Sequence, residues 1–138
     1  MLEIKTKNLK ILLLIFSIIF LSYGELNAQK MYDGWGRQIG RIDSQRIYDR
    51  WGRQIGKIDS QRIYNGWGKQ IGKMNGDRIY DSWGKEIGRV NGERLYDGWG
   101  RQIGKINGGR LYDGWGREIG RGSGLSKIEI IIFFYFFM

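Results

Sequence analysis

Six tryptophans each stand two residues ahead of a cation: Trp35 and Arg37, Trp51 and Arg53, Trp67 and Lys69, Trp83 and Lys85, Trp99 and Arg101, Trp115 and Arg117. In an extended strand, residues i and i+2 share a face, so each pair can make a cation–π contact. A solvent-facing ring of such pairs would stack sugars or hold an anionic polymer. The competing reading packs the indoles into a hub between repeats, because aromatic side chains supply most of the buried area of a small domain. Packing is the expectation; ligand binding at these residues is the alternative.

Other chemistry is more restricted. The chain has neither histidine nor cysteine, which removes most nucleophile–base pairs, nearly all transition-metal sites and any disulfide. Asp33, Asp49, Asp81, Asp97 and Asp113 recur at one register, with Asn65 interrupting. Equivalent acids in a symmetric ring lack the split environments that make one an acid and another a base. An Asp just ahead of a turn bonds its own backbone two residues on. Turn-making is therefore expected of these residues, and neither catalysis, a cofactor nor a metal.

The elements that position these residues come from a repeat. Tyr32, Tyr48, Tyr64, Tyr80, Tyr96 and Tyr112 keep a step of 16, dividing the chain into units 31–46, 47–62, 63–78, 79–94, 95–110 and a shorter 111–121. A constant period signals a repeat architecture. Sixteen residues with several glycines, each costing about 1 kcal/mol inside a helix, fit two short strands and two turns. Asn75-Gly76, Asn91-Gly92 and Asn107-Gly108 read as hairpin turns. Asp43-Ser44 and Asp59-Ser60 stand in the same place. Five hairpins follow, at 39–48, 55–64, 71–80, 87–96 and 103–112. A loop at Asn107-Gly108 would set Gly104 against Leu111 and Lys105 against Arg110, an unfavourable pair unless the register is shifted by one. The glycine after each tryptophan is expected to need positive φ; the residue before it, which is Arg50 or Ser82 in two units, is not.

The flanks differ in kind. Lys5, Lys7 and Lys10 precede an apolar run over 11–21, and a small residue, Ala28, precedes Gln29. This is the pattern of a secretory signal peptide over 1–28, cut near Ala28-Gln29, and it implies a secreted or periplasmic chain. Residues 29–138 hold 20 Lys and Arg against 12 Asp and Glu, a net charge of +8. Summed by unit, no block dominates, which supports weak attraction to polyanions such as envelope glycans and argues against nucleic acid. After a Gly122-Ser123-Gly124 joint, the segment 128–138 is almost wholly apolar, rich in Ile and Phe, and does not alternate. That reads as a strand buried on both faces. Threading or capping by 130–137 of the axial hub is the favoured placement, and membrane contact is the alternative.

Five hairpins of the form Y-D-x-W-G-x-x-I-G-x-[IVM]-[DN]-[GS], behind a signal peptide, resemble the five-fold β-flower proteins of bacteria. The resemblance covers roughly 31–121 and departs at Arg50 and Ser82. It implies short hairpins set as petals about a pseudo-five-fold axis, and it implies no activity. The expectation is thus an all-β, non-enzymatic structural or interaction module with the apolar segment in its hub. A carbohydrate-binding module using the Trp-Gly-Arg/Lys phrases is the alternative.

Overall fold

A computed structural model describes residues 29–138; the expected signal peptide at 1–28 lies outside them. Twelve antiparallel strands close into one barrel. They are β1 (Gln29–Asp33), β2 (Gln38–Asp43), β3 (Arg46–Asp49), β4 (Gln54–Asp59), β5 (Arg62–Asn65), β6 (Gln70–Asn75), β7 (Arg78–Asp81), β8 (Glu86–Asn91), β9 (Arg94–Asp97), β10 (Gln102–Asn107), β11 (Arg110–Asp113) and β12 (Glu118–Ser123). One helix, α1 (Lys127–Phe136), follows.

Five hairpins are continuous in the chain, from β2–β3 to β10–β11. Closure adds a sixth. Strands β1 and β12 pair Asp33 with Gly120, Tyr32 with Arg121 and Met31 with Gly122, the register in which β10 and β11 pair Gly104 with Asp113 and Lys105 with Tyr112. The seam is a hairpin without its turn. The barrel therefore repeats six times around its axis, not five, and Gly122-Ser123 belongs to a strand rather than to a flexible joint.

The hairpin register also differs from the sequence reading. The two-residue turns are centred one position later, at Gly108-Gly109 and Ser44-Gln45, so Ile106 faces Leu111 and Asn107 faces Arg110. Positive φ falls on Ser44, Gln45, Gly108 and Gly109, where the Asn-Gly rule had placed it one residue early. Lys105 then faces Tyr112 within its hairpin and Arg94 on the hairpin before it. Like-charge pairing thus moves from inside the hairpins to between them. It recurs as Lys30–Arg41, Arg46–Lys57, Arg62–Lys73, Arg78–Arg89, Arg94–Lys105 and Arg110–Arg121.

Alternation along each strand sends one set of residues inward. Met31, Ile47, Ile63, Ile79, Leu95 and Leu111 are fully or almost fully buried, opposite Gly40, Gly56, Gly72, Gly88, Gly104 and Gly120 on the neighbouring strands. Beside each glycine the long strand carries one extra residue, such as Ile55 between Gln54 and Gly56. That is a β-bulge, which bends the strand and increases its twist.

The C-terminal segment is a helix, not the expected strand. Ser126 accepts from the Glu129 N–H, and the Glu129 carboxylate accepts from the Ser126 N–H at 2.9 Å, closing a capping box. Ile130, Ile131, Ile132 and Phe133 are all buried and share one hydrophobic cluster with the strands. Four consecutive helical positions point in directions about 100° apart, so a helix buried at all four has protein on every side. The inner glycines make room for its rings. A Cβ at Gly40 would lie 3.0 Å from Phe133, one at Gly56 2.5 Å from Phe137, and one at Gly104 3.3 Å from Phe134. At Gly72 and Gly88 it would collide with Phe136 and Tyr135. Gly122 stands where the other units carry Ile, Met or Val, and a side chain there would meet Ile130 at 2.7 Å.

Candidate functional site

Antiparallel alternation puts all six D/N-x-W-G-x turns at one mouth of the barrel and the two-residue turns at the other. Each rim turn is tied by its first residue. Asp33 Oδ1 accepts from the Trp35 and Arg37 N–H groups, both at 2.9 Å, and its backbone carbonyl accepts from Gly36 N–H at 3.1 Å. Asn65 keeps the same two side-chain contacts, with Trp67 and Lys69 at 3.0 Å each. This is the turn-making role read from the sequence. The glycine after tryptophan has φ between +80° and +84° in all six turns, a region that L side chains avoid.

Four turns carry a second tie. The Nε of Arg37, Arg53, Arg101 and Arg117 donates to the other carboxylate oxygen of its aspartate at 2.8–2.9 Å. The Arg37 N–H holds the Asp33 carboxyl below its ordinary 3.8. Partial desolvation raises Asp49, Asp97 and Asp113, but the backbone and guanidinium donors outweigh it, and they too sit below 3.8. These carboxylates are ionised and occupied.

The indoles do not pack a hub. They are the most exposed large hydrophobic side chains of the described residues, from 66% at Trp51 to 93% at Trp67. The core is filled instead by aliphatic strand residues and by Ile130, Ile131, Ile132 and Phe133 of α1. The cation–π contacts form in the arginine turns, through turn geometry rather than along a strand face: Arg37, Arg53, Arg101 and Arg117 lie 5.1–5.6 Å from the centroids of Trp35, Trp51, Trp99 and Trp115. Lysine behaves differently. Lys85 approaches the neighbouring Trp99 at 5.8 Å, not Trp83. Arg50, absent from the sequence-based set, covers Trp51 at 4.3 Å; its only signal was a cation in place of a turn glycine. Two classes of indole result. Trp67 and Trp83, on adjacent turns, are 93% and 90% exposed and carry no cation over the ring among the described residues. The others are held under guanidinium groups.

Shallow grooves run down the wall from the rim. One is lined by Glu86, Arg89, Tyr96, Asp97 and Trp99, and another by Gln54, Lys57, Tyr64 and Asn65 at equivalent positions. Each joins an amide or carboxylate, a cation and a tyrosine edge to the rim. No group of carboxylates among the described residues is arranged to hold a metal ion.

A closed barrel of short hairpins with a ring of exposed Trp-Gly turns defines an all-β repeat protein. The chain belongs to the family described as 5-fold beta-flower protein, whose family model matches residues 28–138. No curated protein and no solved structure matches it.

Proposed function

We propose that this is an exported, non-enzymatic binding module whose tryptophan rim holds glycan chains of the cell envelope or its surroundings. One observation carries the reading: the rim indoles stand in solvent on turns rigid enough to hold them there. A flat apolar ring face in water, flanked by hydrogen-bonding groups, suits the apolar face of a pyranose ring and its hydroxyls. A rim fixed before binding loses little entropy when a ligand arrives. Trp67 and Trp83 are the first contact in this reading, since both ring faces are open, and the guanidinium-covered indoles extend it. The acids at the rim tie turns, which supports a module without catalysis. Export rests on the leader pattern at 1–28.

The finer architecture belongs to the same proposal. In a twelve-stranded barrel, wall side chains alone do not reach the axis, and α1 acts as the plug that keeps the barrel round and its rim circular. The test is titration of the intact protein with soluble neutral and envelope polysaccharides, following acrylamide quenching of tryptophan. Binding should shield the indoles, resist salt, and weaken at least tenfold in the Trp67→Ala/Trp83→Ala double variant. Quenching unchanged by every glycan, or equal binding by that variant, overturns the reading.

A further inference from the structure

The excess positive charge has an address that unit-by-unit sums conceal. At the tryptophan rim seven cations, including Arg50, meet seven carboxylates, including Glu86 and Glu118. The rim is neutral. The surplus lies in the six like-charge pairs between neighbouring hairpins, which place twelve Lys and Arg around the outer wall. All but Lys30 and Arg41, which are half-buried, are exposed. Compensation is sparse. Among the described residues, only Arg41 with Asp43 at 3.7 Å and Arg89 with Glu86 at 3.6 Å form ion pairs within this belt. On the sector from Arg78 to Arg110 the residues directly across from Arg78, Arg94 and Arg110 are Asn75, Asn91 and Asn107, which are neutral.

Cations paired across strands repel one another, so the belt weakens the fold that carries it. A polyanion would turn that repulsion into attraction. We propose that the belt is a second binding surface, separate from the rim, for a flexible acidic polysaccharide of the polyuronate kind. One cation pair per two strands recurs about every 9–10 Å around the wall, a spacing that suits a chain with a carboxylate on each sugar. The surface is convex and runs around a cylinder, so a flat bilayer touches only one sector of it. Duplex DNA, stiff over about 150 base pairs, cannot follow such curvature. Single-stranded nucleic acid is held by bases stacking on open aromatic faces. Here all six wall tyrosines are half-buried, and three of them, Tyr48, Tyr80 and Tyr32, already carry Arg41, Lys73 and Arg121 at 4.2, 5.7 and 5.5 Å. Charge, rather than stacking, does the holding, and the interaction is strongly salt-dependent.

The experiment compares the intact protein with a R78Q/R94Q/K105Q/R110Q variant, none of whose altered side chains lies in the rim or in an ion pair. The probes are polygalacturonate, neutral dextran, an oligothymidylate of equal charge and phosphatidylglycerol vesicles. The parent should bind polygalacturonate at 50 mM NaCl and lose more than tenfold in affinity by 200 mM. The variant should bind at least tenfold more weakly, with a Tm equal to the parent's or higher. The Trp67→Ala/Trp83→Ala variant should bind polygalacturonate as the parent does, which separates this surface from the glycan rim. Unchanged affinity in the belt variant overturns the proposal. So does equal binding of dextran by the Trp67→Ala/Trp83→Ala variant, tighter binding of the oligonucleotide, or binding confined to vesicles. A lowered Tm in the belt variant would show that the cations serve the fold, and would equally overturn it.

Discussion

Truncating one ring of α1 tests whether the helix and the barrel form one core. Phe133 is 1% exposed and lies against Gly40, where no side chain can move in to replace it. Removing a fully buried Phe costs about 3–5 kcal/mol when the site cannot collapse, and a closed barrel wall has little freedom to do so. For a domain of this size that corresponds to a fall in Tm of about 10–25 °C. Ile128 belongs to the same helix but is 57% exposed, so Ile128→Ala should stay within about 0.5 kcal/mol of the parent. Urea unfolding followed by far-UV circular dichroism is the appropriate assay. Tryptophan fluorescence is a poor reporter because the indoles are already in solvent when the protein is folded. If Phe133→Ala unfolds at the parent's urea midpoint, the helix is an appendage and the single-core reasoning is wrong.

Other outcomes follow from the same geometry. Deleting unit 63–78 leaves ten strands and a narrower interior around an unchanged α1, so the product should aggregate; a soluble variant with one cooperative melt would refute obligatory closure. Gly104→Val should lower Tm far more than Gly98→Ser. A Cβ at Gly104 meets the Tyr112 carbonyl at 2.9 Å and Phe134 at 3.3 Å, whereas Gly98, though close to the Glu86 carbonyl, stands where sister turns hold Arg50 and Ser82. Equal melting of the two would sink the packing argument. Burial pushes the Tyr135 hydroxyl up to about 12, and it donates to the Tyr96 carbonyl at 2.6 Å. Its folded value lies above its unfolded one, near 10, so its contribution is complete below pH 10 and lost as pH rises towards 12. Tyr135→Phe should flatten the alkaline fall in stability across that window, and an unchanged alkaline profile would show that burial of this hydroxyl does not govern its ionisation.

Local grammar carried the sequence reading as far as local forces reach. The hairpin count, the turn role of Asp33 and its equivalents, and the positive φ after each tryptophan all depend on neighbours within about five positions. The Asn-Gly rule sets the turns one position early because Asn75, Asn91 and Asn107 pair with Arg78, Arg94 and Arg110 as the last residues of their strands and only the two residues between them form the loop. Ile and Phe favour strands, yet the segment also carries a legible helix signal, the Ser126–Glu129 capping box, and it forms α1. The apolar area of the tryptophans points to the core, whereas the turns that carry them hold them in solvent. The core takes in Ile130 to Phe133 instead, with the half-buried rings of residues 134–137 packed against it, all from a segment that the repeat pattern excluded. The basic belt was not legible because its partners, such as Arg46 and Lys57, fall in different hairpin strands and become neighbours only once strands pair.

The seam between β1 and β12 has a consequence for how the molecule comes into being. Every other strand pairing joins segments adjacent in the chain, which form in microseconds with little loss of chain entropy. Lys30 meets Ser123 only when nearly the whole described chain has been gathered in, and such distant pairings are the slow ones. Until then the first and last strands offer open hydrogen-bonding edges to any other extended chain. The nascent protein is thus an arc of ready-made hairpins that stays adhesive at both ends until its final strand is delivered. A half-made or clipped chain should seek its missing edge in another molecule, which makes intermolecular strand exchange the characteristic way for this architecture to go wrong.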